Sequence, residues 1–285
     1  MANKLKKKIG IIGAGRVGST AAFCIANCGY AKEIILIDVI EELAEGEAED
    51  INQAITLFAK PTITISGNYE DLSDCPLVII TAGARRKPEE TRLDLARKNL
   101  SLTKEIVQKI ASINKYCILL VVTNPVDILT YFSFKISGFK KEKVFGLGTY
   151  LDTLRLWSFM NREGKEKKDS IVIGEHGDSM VFVSFDDTEI IKKVKSAGAE
   201  LIRKKGGCGW AVGMAISDVA KSVLLDERRV FPISSVIDDI AISIPTVVGK
   251  EGILDYPELK LSQKEKEAFS ISSKIIKDEI TKISL

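Results

Sequence analysis

The sequence predicts an α/β protein built on a doubly wound parallel sheet. Short, continuous apolar segments alternate with helical segments along the first half of the chain. Continuous apolar strands are typical of parallel sheets that helices cover on both faces. A glycine-rich turn between the first apolar segment and the first helical segment supports the same fold. With 285 residues and 45% hydrophobic composition, the chain is long enough to bury such a core.

The composition excludes several classes of protein. Forty-one basic and 39 acidic residues leave a formal charge of +2, which is too balanced for a general nucleic-acid surface. No apolar run approaches the roughly 20 residues of a membrane helix, and the basic N-terminus is followed only by the short apolar run 9–12. We therefore expect a cytoplasmic protein without a membrane partner. The cysteines are odd in number and lack metal-ligand spacing, so we expect reduced thiols and no metal site.

The first 38 residues contain a complete nucleotide-binding pattern. An apolar strand at 8–12 leads into the sequence Gly-Ala-Gly-Arg-Val-Gly at 13–18, which is followed by a helical segment at 19–27. A second apolar strand at 34–37 ends in Asp38. A GxGxxG sequence alone is a weak signal, but its position between a strand and a helix, with an acid about 20 residues further on, predicts a dinucleotide site.

Each glycine of this turn has a separate physical reason. Gly13 permits the tight turn, Gly15 allows backbone N–H groups to approach a pyrophosphate, and Gly18 allows the helix to pack closely on the strand. Asp38 is expected to accept hydrogen bonds from the ribose hydroxyls and to repel a 2′-phosphate. The sequence therefore favours NAD over NADP.

Four further strands complete the predicted sheet. The segment 62–66 alternates apolar and polar residues, which is typical of a half-buried edge strand, whereas the segments 77–80, 116–122 and 144–147 read as buried strands. Together with the first two strands they predict the order 3-2-1-4-5-6. The helix expected at 41–59 carries an unusually wide apolar stripe, which indicates either a subunit interface or a deeply buried core helix.

The only histidine of the chain, His176, lies in a glycine-rich turn after the apolar segment 171–173. Bulky neighbours cannot cover its ring between Gly174 and Gly177, so we expect the side chain to be presented to a ligand. An imidazole titrates near neutral pH, which makes His176 a candidate general acid/base. A histidine with no chemical role is the alternative.

Ligands of doubly wound sheets bind beyond the carboxyl ends of the strands. After the fourth strand, a loop at 83–94 combines a leading glycine with several cations and a proline, which predicts a mobile segment that closes over an anion. After the sixth strand, Asp152 and Arg155 lie one helical turn apart. This spacing suits either a binding site or a surface ion pair.

Five ordered motifs carry a resemblance to a known family. They are GAGRVG at 13–18, TAGARRKPEETRLDL at 81–95, VTNPVD at 122–127, GTYLDTLR at 148–155 and GEHGDSM at 174–180. In this order and at this spacing, the chain resembles the lactate/malate dehydrogenase family over essentially its whole length. The resemblance implies an NAD-binding Rossmann domain at 1–147 and a smaller α+β substrate domain at 148–285.

The resemblance also implies a role for each residue of the site. His176 would exchange a proton with the C2 oxygen of a 2-hydroxy acid, and Asp152 would hydrogen-bond its other ring nitrogen. Arg155 would bind the C1 carboxylate through a bidentate fork, and Arg92 would polarise the C2 carbonyl. Asn124 would orient the substrate or the nicotinamide, and Pro125 is expected to follow a cis peptide bond. The implied cofactor contacts are Gly13, Gly15, Arg16, Val17, Gly18, Asp38, Asn99, Val122 and Asn124.

The expected substrate depends on Arg86. Malate enzymes of this family place an arginine before Lys-Pro in the loop, whereas lactate enzymes place a glutamine, and Met180 also resembles the malate pattern. A loop that buries Arg86 needs a second carboxylate beside it. We therefore expect an NAD-dependent malate dehydrogenase of the tricarboxylic acid cycle that binds malate or oxaloacetate. The main alternative is an L-lactate or other 2-hydroxy-acid dehydrogenase in which Arg86 stays in solvent and Arg85 or Cys208 shapes the pocket.

Two more distant alternatives differ in class. An NAD-dependent glycosidase of related fold would need a metal held by cysteine and histidine, although the sole histidine already has a role. An NAD-binding protein without catalysis would not need the imidazole, its acid and the arginines together. We expect a homodimer or homotetramer, but Gln53 stands where the family usually has a histidine at the interface, so a proton-linked role of that interface is doubtful.

Overall fold

The computed structural model describes residues 7–57, 62–84, 92–166 and 169–283. Its first half contains β1 (Lys8–Ile12), α1 (Arg16–Cys28), β2 (Glu33–Ile37), α2 (Glu41–Thr56), β3 (Ile63–Ser66), a 3-10 helix (Tyr69–Asp74), β4 (Leu77–Ile80), α3 (Arg92–Ile113), β5 (Ile118–Val121), α4 (Val126–Ser137), a second 3-10 helix (Lys141–Lys143) and β6 (Val144–Gly146). Its second half contains α5 (Tyr150–Arg162), β7 (Ile171–Ile173), β8 (Val181–Val183), α6 (Thr188–Lys205), α7 (Trp210–Leu225), β9 (Arg229–Ile237), β10 (Ile240–Gly249), β11 (Gly252–Asp255) and α8 (Gln263–Lys282).

The predicted strand order is confirmed. Strands β3, β2, β1, β4, β5 and β6 lie side by side in that order and are parallel, with β3 at the edge. The sheet does not end at β6, because β9 pairs antiparallel with it and is followed by β10 and β11. One nine-stranded mixed sheet therefore runs through both halves of the chain, and the division at residue 147 stays a prediction.

Helices cover both faces of the parallel strands, which explains their continuous apolar sequences. Along β1, Ile9 and Ile11 pack into a core with α1, α2 and α7, whereas Ile12 packs into a second core with α3. Successive side chains of a strand point to opposite faces, so both sets must be apolar when both faces are buried. Strands β2 and β4 divide between the same two cores.

Two expectations about helices change at their ends. Helix α1 begins at Arg16 rather than Ser19, directly after the extended Gly15. Helix α2 was expected to reach residue 59 but ends at Thr56, and residues 58 and 59 lie outside the described residues. Its buried positions face the core, but Leu43 of its apolar stripe is 36% exposed. Within the described ranges, no helix combines the length and the apolar character needed to cross a membrane.

The second half of the chain brings the histidine turn to the carboxyl ends of the parallel strands. Beyond β7, Gly174 exchanges two backbone hydrogen bonds with Ser243 of β10, at 2.9 and 3.1 Å. Strand β10 is itself joined to β6 through β9. The turn that contains His176 is therefore tied to the same sheet whose parallel strands end beside it.

The join between β6 and β9 leaves no room for a side chain at Gly146. A Cβ atom there would lie 2.9 Å from Val126 Cγ2 and 3.1 Å from Ser234 Cβ, and closer still to Thr130 Oγ1. We predict that Gly146→Ala lowers the free energy of unfolding by about 1–3 kcal/mol, since overpacking forces neighbouring side chains apart. Denaturant unfolding measures this loss.

Gly46→Ala is the matched control. A Cβ atom at this position of α2 would meet nothing within 4 Å. Alanine is the better helix former, so this variant should gain about 0.5–1 kcal/mol. An unchanged or increased stability of Gly146→Ala would contradict the tight packing of β6 against α4 and β9.

Candidate active site

The glycine turn has the geometry of a phosphate-binding turn. Gly13 has φ +102°, and a Cβ atom there would lie 2.7 Å from the backbone nitrogen of Ala82. A Cβ atom on Gly18 would collide with the carbonyl oxygen of Gly13, whereas one on Gly15 would meet nothing within 4 Å. Open space therefore lies at the N-terminus of α1, where backbone N–H groups favour an anion. The turn fits a dinucleotide.

The carboxylate of Asp38 is fixed beside this turn. Its Oδ2 accepts a hydrogen bond of 2.7 Å from the backbone N–H of Ala14, and its Oδ1 accepts one of 3.0 Å from Ile40. Val17 packs against the core. The guanidinium of Arg16 donates to the carbonyl oxygen of Lys205, the last residue of α6, at 2.7 Å, and to that of Gly207, two residues further on, at 3.2 Å.

Asn99 links two segments at the ends of β4 and β5. Its side-chain oxygen accepts from Ala84 N–H at 2.7 Å, and its amide donates to the carbonyl oxygen of Asn124 at 2.7 Å. The peptide bond between Asn124 and Pro125 is cis, as expected. Asn99 is almost completely buried, so its side chain supports the loops. Its expected cofactor contact stays a prediction.

A small cavity of about 40 Å³ lies where β5 and β6 end. Two of the residues that line it, Val122 and Asn124, were expected at the cofactor, and a third is His176. The full lining is Val122, Asn124, Val126, Leu147, Gly148, Leu151, His176 and Val212. The cavity lies at the carboxyl ends of the strands, which is where this fold binds ligands, and it is apolar with an imidazole on its wall.

His176, Asp152 and Arg155 form one cluster. The Nδ1 atom of His176 lies 2.5 Å from Asp152 Oδ2, and Arg155 Nη1 donates to Asp152 Oδ1 at 2.8 Å. The carboxylate of Asp152 is fully buried, while the side chains of Arg155 and His176 keep 13% and 17% of their surface exposed. The pair of Asp152 and Arg155 is therefore not a surface ion pair.

The cluster shifts the titration of both partners. Burial lowers the pKa of His176, but the charge of Asp152 and its hydrogen bond to the ring outweigh burial, so the pKa is raised above its ordinary value. Burial raises the pKa of Asp152, but His176 and Arg155 outweigh it, so that pKa is lowered. The imidazolium form of His176 is thus stabilised. Since Nδ1 faces Asp152, Nε2 is the nitrogen left to meet a ligand.

Arg155 reaches a second group. Its Nη2 lies 3.4 Å from the sulfur of Cys208, which follows the two glycines after α6. Arg16 holds the same glycine segment through the carbonyl of Gly207. Arg16, next to the glycine turn, and Arg155, in the histidine cluster, therefore contact neighbouring residues of one short loop.

Two of the expected arginines have side chains outside the described residues. Arg86 lies outside the described residues, and so does the side chain of Arg92, although its backbone begins α3. Most of the loop expected to close over an anion, residues 85–91, lies outside them as well. The roles of both arginines stay predictions.

Asp127 was quoted in a motif but given no role. Its Oδ2 accepts a hydrogen bond of 2.8 Å from the backbone N–H of His176, and its Oδ1 accepts one of 2.6 Å from the hydroxyl of Ser234. The signal in the sequence was its place three residues after Asn124, at the end of β5. An acid there lies at the ligand edge of the sheet.

The chain matches two models of one protein family. The model described as the NAD binding domain of lactate/malate dehydrogenase matches residues 7–146. The model described as the alpha/beta C-terminal domain of the same enzymes matches residues 184–284. Together the two matches lie in both halves of the chain; the first includes the glycine turn, and Asp152, Arg155 and His176 lie in the interval between them.

Relatives and solved structures cover nearly the whole chain. It is 37% identical to L-lactate dehydrogenase 1 of Clostridium acetobutylicum, over 98% of this chain and 99% of that protein. The crystal structure of a minor L-lactate dehydrogenase from Enterococcus mundtii has a TM-score of 0.92 at 32% identity and covers 98% of this chain and 99% of its own. The malate dehydrogenase of Archaeoglobus fulgidus in complex with NADH has a TM-score of 0.91 at 36% identity, over 96% of this chain and 99% of its own.

The malate assignment from the sequence is wrong. Curated relatives that are 35–38% identical over essentially the whole chain are named L-lactate dehydrogenase, which favours the alternative. The malate argument assumed that Arg86 becomes buried and needs a carboxylate partner, and an arginine that remains in solvent needs none. The tricarboxylic acid cycle was inferred from malate and is withdrawn with it. NAD as the cofactor is confirmed.

The single histidine allows a direct test of the cluster. We predict that Asp152→Asn lowers the pKa of His176, because the variant removes the carboxylate charge that stabilises the imidazolium. NMR titration of the imidazole resonances in histidine-labelled protein measures this shift without assignment ambiguity, since the chain has one histidine.

Asp239→Asn is the matched control. It removes the same charge from an exposed position in the turn between β9 and β10. The pKa of His176 should not change in this variant. A similar titration of His176 in wild type and Asp152→Asn would show that the two side chains are not coupled in solution.

Proposed function

Because the chain belongs to the lactate/malate dehydrogenase family, we propose that this NAD-dependent 2-hydroxy-acid dehydrogenase interconverts L-lactate and pyruvate. The observation that carries the proposal is the cluster of His176, Asp152 and Arg155, which offers a proton donor beside a cation. Pyruvate needs both, because it carries one carboxylate and one carbonyl oxygen that gains a proton. The names of the relatives support this substrate over a dicarboxylate.

His176 is the proposed general acid/base. Asp152 fixes the ring through Nδ1, so that Nε2 exchanges a proton with the C2 oxygen of the substrate. Asp152 also stabilises the imidazolium that this exchange requires in one direction. The bound cofactor would supply the redox chemistry: the oxidised form would take a hydride from C2 of the hydroxy acid, and NADH would return one to C2 of the keto acid.

Arginines are proposed to bind the anion and polarise its carbonyl group. Arg155 is the candidate for the carboxylate, since its guanidinium can present a planar fork while it stays anchored to Asp152. Arg92 is proposed to polarise the C2 carbonyl as negative charge develops on its oxygen. Asn124, on the cavity that His176 lines, is proposed to orient the substrate or the nicotinamide.

The cofactor is proposed to lie along the carboxyl ends of the strands. Its pyrophosphate would meet the backbone N–H groups at Gly15, where the structure leaves open space. Asp38 would accept hydrogen bonds from the ribose hydroxyls and repel a 2′-phosphate, which favours NAD over NADP. A cytoplasmic location and assembly into a homodimer or homotetramer stay predictions.

The purified protein should reduce pyruvate with NADH, and with higher kcat/KM than oxaloacetate. The physical reason is that, among the described side chains of the cluster, Arg155 is the one guanidinium, so a second carboxylate would meet no second guanidinium there. Steady-state loss of nicotinamide absorbance with each keto acid measures the two efficiencies. An efficiency for oxaloacetate above that for pyruvate would overturn the substrate assignment, while activity with neither would overturn the proposed function.

The pH dependence should have opposite signs in the two directions. Pyruvate reduction needs the imidazolium of His176 and should fall as pH rises through its pKa, which lies above the ordinary 6.5. Lactate oxidation needs the neutral ring and should rise over the same interval. His176→Asn should lose about 10²–10⁴-fold in rate in both directions.

NADH binding provides the control for this variant. Fluorescence titration should give the same NADH affinity for His176→Asn as for wild type, because the ring does not form the nucleotide turn. Reduction and oxidation that share one sign of pH dependence, or normal turnover by His176→Asn, would assign the proton transfer to another group.

A further inference from the structure

We propose that Asp127 is a positioning residue for His176, which holds the backbone of the histidine turn and places a second negative charge beside the imidazole. The effect of Asp127 on catalysis rests on the proposed function, in which His176 is the general acid/base. Asp127 is not expected to touch the substrate. It acts through the backbone and the charge of His176.

The turn that carries His176 is held through three successive backbone N–H groups. The N–H of Gly174 donates to Ser243 O of β10 at 2.9 Å, and the N–H of Glu175 donates to Ser272 Oγ of α8 at 2.8 Å. The N–H of His176 donates to Asp127 Oδ2 of α4 at 2.8 Å. Three separate elements therefore fix the turn, and Asp127 holds the residue that carries the ring.

Asp127 has little freedom to move. The residue is only 4% exposed, and its other oxygen accepts from the fully buried hydroxyl of Ser234. Ser234 lies opposite Gly146 in the pairing of β9 with β6. The carboxylate thus joins the central sheet to the histidine turn, and His176 is held at its backbone by Asp127 and at its ring by Asp152.

The charge of Asp127 also acts on the ring. Among the described side chains, five ionisable groups act on one another here: Asp127 of α4, Asp152 and Arg155 of α5, and Glu175 and His176 of the turn. The carboxylates of Asp152 and then Asp127 raise the pKa of His176, against burial and Arg155. Burial raises the pKa of Asp127 to about 6, against its bonds to Ser234 and His176. Above that pH, Asp127 is the second anion that stabilises the imidazolium.

Asp127→Asn separates the charge from the geometry. The amide oxygen can still accept from His176 N–H, and the amide nitrogen can donate to Ser234 Oγ, so both hydrogen bonds survive. We expect this variant to lower the pKa of His176 and to move the fall of pyruvate reduction to lower pH. Its kcat on the low-pH plateau should stay within about tenfold of wild type, because the ring keeps its place.

Asp127→Ala removes both the charge and the acceptor. The N–H of His176 then has no partner, and a displacement of about 1 Å at a reacting group costs about 10²-fold in rate. We expect kcat to fall by about this factor at every pH, with unchanged NADH affinity. Asp239→Asn, which removes an exposed charge, should behave as wild type in each measurement.

NMR titration of the sole histidine measures the effect of the Asp127 charge on the pKa of His176, and it needs no enzymatic turnover. An unchanged His176 pKa in Asp127→Asn overturns the electrostatic role, and normal kcat in folded Asp127→Ala overturns the positioning role. If Asp127→Ala does not fold, Asp127→Asn still decides the electrostatic role, and a normal pH profile there overturns the proposal. Wild-type protein that reduces no pyruvate defeats the proposed function instead, and the NMR result then stands alone.

Discussion

The buried carboxylate of Asp152 is the constraint on which the site depends. It has no exposure to solvent, and its two oxygens meet His176 and Arg155 separately. A buried anion that loses one of its partners is strongly destabilised, by about 3–5 kcal/mol in comparable pairs. Asp152 therefore fixes both partners at once: the imidazole in one orientation, and the guanidinium beside it. The proposed proton donor and the proposed anion-binding cation become neighbours because they share one acid.

The second half of the chain provides the rest of that geometry. Strand β9 adds to the parallel sheet beside β6 and carries Ser234 to Asp127, while β10 holds the turn at Gly174. Without this antiparallel extension, Gly174 would lose its two backbone hydrogen bonds to β10 and Asp127 would lose its bond from Ser234. Among the described residues, only the side chains of Asp127 and Asp152 would then hold the turn to the carboxyl ends of β5 and β6. The proposed sites of substrate chemistry and of cofactor binding thus share one sheet, although their residues lie far apart in sequence.

Sequence patterns predicted what short-range physics dictates. The strand order and the glycine turn depend on alternation, turn residues and spacing within some 30 residues, and the structure confirms them. The hydrogen bond from the backbone N–H of His176 to Asp127 joins residues 49 positions apart, so no local pattern encodes it. The pairing of β6 with β9 spans a longer distance still. The prediction of the substrate was wrong for another reason. It assumed that a single loop residue, Arg86, is buried, and sequence alone does not determine the burial of a loop side chain.

The charges of the described cluster couple proton binding to substrate binding. With His176 neutral and both acids ionised, Asp127 and Asp152 outnumber Arg155, and the cluster carries a net negative charge. Protonation of His176 removes one unit of that negative charge. A monocarboxylate entering beside Arg155 therefore meets less repulsion when the imidazolium is present. On the proposed mechanism, the keto acid, which must receive a proton, is drawn to the protonated site, whereas the hydroxy acid, which must lose one, binds against a net negative charge. In this way the two buried acids favour binding of the keto acid in the protonation state that its reduction requires.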